Sequence, residues 1–107
     1  ESEFQKEQKM DELKQQIIEL YTSILSNITI LKLKADYMTF ANAQYKVGEN
    51  DFLNGKGDAT TLSTQKLTQI TASSDYESTR AILNNSILRL EMLSRTSIIN
   101  KNKQYKP

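Results

Sequence analysis

The sequence predicts an all-α protein: a long antiparallel helical hairpin, paired as a coiled coil, that associates into a helical bundle. All three glycines lie between positions 48 and 57, and the only proline is residue 107 of 107. Apolar residues recur every seven positions along the first half of the chain. Only 37% of the residues are hydrophobic, which suits a thin helical assembly better than a compact globule. We therefore expect a single domain, residues 1–107.

The composition excludes several functional classes. The chain has no Cys and no His, so a zinc cluster, a disulfide framework and a His-assisted nucleophile are not expected. Its 14 basic and 13 acidic residues give a net charge of +1, too weak a field to indicate nucleic-acid binding. We expect no enzyme activity, no catalytic or metal-binding residues, no cofactor and no membrane-spanning segment, since no apolar run reaches about 18 residues.

The first helix is expected over about residues 3–50, because this segment carries a seven-residue apolar repeat. The repeat comprises Met10, Ile17, Ile24, Leu31, Met38, Tyr45 and Phe52. A partial second stripe comprises Leu13 and Leu20, followed by Tyr21, Ile28 and Ala35. Sustained heptads with an apolar stripe are typical of a helix that packs as a coiled coil. Apolar doublets such as Ile17-Ile18 and Ile24-Leu25 widen the stripe, which predicts more than one neighbouring helix.

The turn is expected at about residues 51–59, where the glycines cluster, and the second helix at about residues 60–100. Glycine is a strong local breaker of helices, and Asp58, Thr60 or Thr61 could cap the helix that follows. The second helix has a weaker apolar pattern, with small and polar residues from Ala72 to Ala81. Residues 101–107 are expected to be a frayed tail.

The charge distribution favours antiparallel helices. Residues 1–53 carry 6 basic and 9 acidic side chains, and residues 54–107 carry 8 basic and 4 acidic ones. A turn centred near Lys56 predicts paired residue numbers that sum to about 112, give or take about four. The predicted neighbours are Tyr45 with Leu67, Leu31 with Ala81, and Ile24 with Leu88.

The apolar stripe of the first helix is wider than one partner helix can bury, so we expect a homo-oligomer. Leaving a large apolar side chain exposed forgoes about 1.5–3 kcal/mol. The residues expected to mediate self-association, at the end distal to the turn, are Ile17, Ile24, Leu31, Leu83, Leu88 and Leu90.

The segment from Phe52 to Gln65 has the most specific pattern in the chain. It contains, in order and spacing, Phe52, Gly55, Gly57, Thr60, Thr61, Leu62 and Gln65. This pattern resembles the hairpin tip of the TolC-like outer-membrane efflux protein family. Ala72, Asp75-Tyr76 and Leu88-Arg89-Leu90-Glu91 resemble the return helix of such a hairpin, although Ser94-Arg95-Thr96 stands where the family has a glycine. The resemblance covers about residues 40–95.

The resemblance implies a structural role in the periplasm, associated with the outer membrane. Family hairpins assemble as a trimeric α-barrel of an efflux or secretion channel, and their tips meet a periplasmic adaptor protein. Carried over to this chain, the adaptor-binding residues would be Gly55, Lys56, Gly57, Asp58 and Thr60. Family members are several times longer and include membrane β-strands, so this chain would correspond to one hairpin.

An alternative remains open from the same residues. The chain would then be a free-standing soluble helical hairpin that self-associates as a four-helix bundle and has a scaffolding or binding role. A third hypothesis is an adaptor-type hairpin, also a long antiparallel coiled coil.

Overall fold

The computed structural model describes the backbone of residues 2–105 and the side chains of residues 2–96, 98 and 99. Within this part of the chain there are two α-helices and no strand: α1, Glu3–Leu53, and α2, Ala59–Tyr105. The all-α prediction is confirmed, and the two helices form a hairpin. The turn is residues 54–58, shorter than expected, and α2 continues through Tyr105 into the segment expected to fray; Lys106 and Pro107 lie outside the described residues.

A capping box starts α1. The backbone N–H of Gln5 donates to Ser2 Oγ over 3.2 Å, and the backbone N–H of Ser2 donates to Gln5 Oε1 over 3.1 Å. This reciprocal pair satisfies two backbone donors that a helix N-terminus otherwise leaves without partners.

Threonine hydroxyls are accommodated in the Thr-rich start of α2 by bonding back along the helix. Thr64 Oγ1 donates to the Thr60 carbonyl and Thr68 Oγ1 to the Thr64 carbonyl, each over 3.0 Å. These bonds satisfy hydroxyls that could otherwise compete for backbone groups in non-helical conformations, so the Thr side chains are compatible with a helix here.

The chain divides into two compact units. The base unit combines the described residues up to Asn27 with those from Ile82 onward, and the tip unit comprises Ile28–Ala81 with the turn. In both units the more shielded side chains recur at alternating steps of three and four residues, which is the spacing of coiled-coil core positions. We refer to these positions as the seam.

The seam of the base unit is mostly aliphatic. On α1 it consists of Met10, Leu13, Ile17, Leu20, Ile24 and Asn27, and on α2 of Leu83, Ser86, Leu90 and Leu93. Ile24 and Leu83 are its buried members, each 7% exposed. Each contributes about 1.5–3 kcal/mol through burial, so large apolar side chains hold this unit together.

The seam of the tip unit contains many small and polar residues. On α1 it consists of Leu31, Lys34, Met38, Ala41, Tyr45 and Gly48, and on α2 of Leu62, Gln65, Gln69, Ala72, Tyr76 and Thr79. Its buried members are Ala41 and Ala72, which are 1% and 2% exposed. Small residues at such positions allow two helices to approach closely, so this unit depends on close contact more than on the size of its side chains.

Three contacts fix the antiparallel pairing within the tip unit. Gly48 faces Gln65, the ammonium of Lys66 lies 4.7 Å from the centre of the Tyr45 ring, and Lys34 pairs with Asp75 at 3.6 Å. These pairs sum to 113, 111 and 109, inside the predicted range. The predicted neighbour of Tyr45 was Leu67, but Leu67 is exposed and the adjacent Lys66 takes its place.

The heptad repeat of α1 is confirmed from Met10 to Tyr45, since all six of these residues are at least partly shielded, whereas Phe52 is exposed. The second stripe follows a different path from the predicted one. Tyr21 and Ile28 are exposed, and Asn27, Lys34, Ala41 and Gly48 continue the seam instead. An apolar pattern could not identify these positions because none of the four is a large apolar residue.

Candidate functional site

The turn at the end of the tip unit is built by a Schellman motif. The backbone N–H of Lys56 donates to the Asp51 carbonyl over 2.8 Å, and that of Gly55 donates to the Phe52 carbonyl over 3.1 Å. Gly55 has φ +75°, a conformation that costs glycine little and other residues more. The backbone therefore favours glycine at position 55. Gly57 has no positive φ, and a Cβ added to it would meet only ordinary van der Waals contacts.

Asp58 is the N-cap of α2. It is one of the three residues that the sequence offered for this role. The backbone N–H of Thr61 donates to Asp58 Oδ1 over 2.7 Å. This hydrogen bond lowers the pKa of the Asp58 carboxyl, with further contributions from the Thr61 hydroxyl and the Thr60 backbone. Because the helix N-terminus offers donors and a positive dipole end to the carboxylate, the start of α2 is defined by one ionised side chain.

The five residues assigned to adaptor binding come together in this turn. Gly55, Lys56, Gly57, Asp58 and Thr60 are all exposed. Leu53 and Phe52 beside them are also exposed, which adds apolar surface to the tip that the sequence analysis did not assign. The arrangement presents a positive, a negative and an apolar group on a turn of fixed shape; its role in binding stays a prediction.

A polar cluster lies behind the turn, within the tip unit. Hydrogen bonding to Glu49 raises the pKa of Tyr45, and the Lys66 ammonium lies over the same ring. A Cβ on Gly48 would overlap the side-chain amide of Gln65, whose Oε1 is buried without a hydrogen-bond partner. The cluster brings Tyr45 and Gly48 of α1 against Lys66 and Gln65 of α2, so it contributes to the pairing of the two helices near the turn.

The residues assigned to self-association lie mostly in the seam. Ile24 and Leu83 are buried, Ile17, Leu31 and Leu90 are partly shielded, and Leu88 alone among the six is exposed. Five of the six therefore contribute to the pairing of α1 with α2. Their role in self-association stays a prediction.

Exposed apolar side chains on the flanks of α1 are the surface that the sequence analysis did not place. In the base unit they include Ile18, Tyr21 and Leu25. In the tip unit they include Ile28, Ile30, Leu33, Tyr37, Phe40 and Val47. For Ile18, Leu25 and Ile30 the signal in the sequence was an apolar doublet, in which the seam takes one residue and the other remains on the surface.

The described residues form neither a metal-binding cluster nor a membrane-spanning helix. No group of three or more Asp, Glu, His or Cys side chains in that part of the chain could hold a metal ion. Neither of the two described helices has a stretch long and apolar enough to cross a membrane.

Comparison of the chain with protein-family models, with curated proteins and with solved structures gave no match. The resemblance to the TolC-like family therefore rests on the residues quoted for it, chiefly Phe52 to Gln65, and stays a prediction.

Proposed function

We propose that this chain is a structural interaction element: a helical hairpin that completes its apolar packing against further helices. The observation that carries the proposal is an imbalance in burial. Four hydrophobic residues are buried, whereas twenty large hydrophobic side chains of the described part are exposed. Soluble monomers rarely expose apolar surface on that scale without a partner that covers it.

The form of this proposal that best fits the turn is the periplasmic hairpin of a TolC-like efflux or secretion channel, associated with the outer membrane. Neighbouring hairpins would cover the exposed flanks, and the turn would dock on a periplasmic adaptor protein. The Schellman motif and the Asp58 cap support the docking role, since a turn held in one conformation loses little entropy on binding. Gly55, Lys56, Gly57, Asp58 and Thr60 would provide the contact.

Site-specific photo-crosslinking in the producing cell tests the docking role. A photo-reactive amino acid at Lys56 should crosslink to a different polypeptide, because Lys56 is exposed on the turn proposed to dock. The matched control is the same group at Lys14, an exposed lysine of the base unit, which should not give that product. A Lys56 product that contains only this chain would contradict adaptor docking.

The alternative is a free-standing soluble hairpin that self-associates as a four-helix bundle with a scaffolding or binding role. Exposure of Ile18, Tyr21 and Leu25 along one flank of the base unit favours it, because a second hairpin stacked on that flank would bury them. Sedimentation equilibrium of the purified chain at micromolar concentration should show a discrete oligomer in this case. A well-folded monomer would contradict the alternative. The proposal would then depend on binding to a different protein, as in the channel form.

A further inference from the structure

One flank of α1 in the tip unit carries a row of exposed apolar side chains, interrupted by Gln44 between Phe40 and Val47. We define the tip patch as Ile30, Leu33, Tyr37, Phe40 and Val47, which are between 39% and 63% exposed. Their spacing of three, four, three and seven residues places them on one side of a helix. At 1.5 Å per residue the patch is about 25 Å long, enough to accompany another helix over several turns.

The patch borders a groove suited to large side chains. Ile30, Leu33 and Tyr37 line an open groove of about 370 Å³, with Ala72 and Asp75 of α2 forming its other side. The Tyr37 and Phe40 rings are 6.5 Å apart and tilted by 33°, an arrangement typical of interacting aromatic pairs. Since Ala72 is almost completely buried, the groove has a small residue at its base and the Tyr37 ring along its rim, with the Phe40 ring next to Tyr37.

The size of the patch matches what one partner contributes to a stable protein interface. A fully buried aromatic side chain removes about 150–250 Å² of surface from water, and an aliphatic one somewhat less. On this scale the exposed surface of the five patch residues sums to about 450 Å². A standard interface takes about 800 Å² from each partner, of which about 57% is apolar, or about 450 Å².

The charge of the tip unit is compatible with self-association. Residues 28–81 carry six basic and six acidic side chains, so two copies brought together there experience no net repulsion. The charged pair at the edge of the groove, Lys34 and Asp75, is already matched at 3.6 Å. The patch therefore offers little to a strongly acidic or basic partner and selects an apolar helical one.

We propose that the tip patch is a self-association surface, occupied by the same patch of a second copy in a two-fold arrangement. Identical surfaces meet across a two-fold axis in the commonest type of homodimer, and here each would supply the apolar area that the other requires. The inference takes one premise from the proposed function, namely that the chain associates with other helices. It moves the contact from the base, where the sequence placed it, to the tip unit.

The test compares two leucines of the same unit with the same exposure. Leu33 lies in the patch and is 63% exposed; Leu67 lies on α2 outside the patch and is 65% exposed. Leu33→Glu should raise the dimer Kd at least about tenfold, and Leu67→Glu should change it by less than about threefold, measured by sedimentation equilibrium. Circular dichroism should show the helical content of wild type in both variants, since neither side chain is in the seam.

Disulfide crosslinking tests the two-fold symmetry, because the chain has no native Cys. Tyr37→Cys, near the middle of the patch, should form a disulfide-linked dimer under mild oxidation, and Leu67→Cys should not. Raising NaCl from about 0.05 to 0.5 M should leave the Kd of the wild-type dimer within about threefold, because an apolar contact is not screened.

The outcomes separate this inference from the proposed function. The tip patch would be overturned if Leu33→Glu did not weaken the oligomer, or if Leu67→Glu weakened it equally. The chain would then still be an interaction element, but with another contact surface. A wild-type chain that is monomeric at the highest soluble concentration would overturn the patch as a self-association surface. A helical partner that binds the monomer would then still support the proposed function.

Discussion

The base and tip units use the same helical pairing but differ in the size of the side chains that are buried. The base unit buries Ile24 and Leu83, whereas the tip unit buries Ala41 and Ala72. Large side chains gain stability from the apolar area that they remove from water. Small ones gain it from close approach of the two helices, which is lost if either residue becomes larger. The same coiled-coil spacing can therefore be stabilised by large buried side chains in one region and by close approach of the two helices in another.

The functional consequence of this difference lies in what each unit leaves on its surface. In the tip unit the buried seam residues are alanines, and the aromatic side chains Tyr37 and Phe40 are exposed. In the base unit the seam takes the aliphatic residues and still leaves Ile18, Tyr21 and Leu25 exposed. Apolar surface for partners is thus present in both units, and it includes an aromatic pair in the tip unit.

The largest expected effect is the loss of a base-unit seam leucine. Leu83→Ala should lower the free energy of unfolding by about 2–5 kcal/mol, because it leaves a cavity at a buried position. The matched control is Leu88→Ala, since Leu88 is 54% exposed and Leu83 7%. Urea denaturation in dilute solution measures both. Equal losses would show that Leu88 is also buried, as its predicted role in self-association requires.

Overpacking of the tip-unit seam should have the next largest effect. Ala41→Leu inserts a larger side chain where the helices are in close contact and should cost about 1–3 kcal/mol in thermal or urea unfolding. Ala43→Leu makes the same change at an exposed position of the same helix and should be nearly neutral. If Ala41→Leu were neutral as well, the tip unit would not depend on close approach.

A smaller effect is expected at Gly48. Alanine is favoured over glycine inside a helix by about 1 kcal/mol, but a Cβ there displaces the Gln65 amide. Gly48→Ala alone should therefore gain less than this amount, and the same substitution in a Gln65→Ala background should gain all of it. A double-mutant cycle measured by urea unfolding gives the coupling between the two residues. Equal effects in both backgrounds would mean that Gln65 does not occupy the space beside Gly48.

The smallest expected effect concerns the pH dependence of the turn. The pKa of Asp58 is lowered in the folded chain, so its ionised form stabilises the fold above the ordinary carboxyl pKa. This contribution should be lost as the pH falls through the lowered pKa, in the acid range below about 4. Asp58→Asn keeps an N-cap acceptor and should remove this part of the pH dependence, and Asp58→Ala should lower the thermal midpoint at neutral pH. Thermal unfolding followed by circular dichroism at several pH values measures both.

The sequence determined the elements and the turn because these depend on local chemistry. Three glycines in one window, an acidic N-cap after the last of them and a heptad repeat from Met10 to Tyr45 are sufficient to define two helices and their antiparallel order. The residues of the tip could be located for the same reason. A function for them could not, because exposure and turn geometry are compatible with many partners.

Only the tertiary structure decided which residues complete the seam and which remain outside. Apolar character identified Leu13 and Leu20 but missed Lys34, Ala41 and Gly48, since helix approach selects side chains by shape and reach as well as by hydrophobicity. In doublets such as Ile24-Leu25 the two residues are equally apolar, and position relative to the partner helix determines that Ile24 is buried and Leu25 exposed. The candidate interaction surface consists of what the seam leaves exposed, and therefore it became visible only when the two helices were paired.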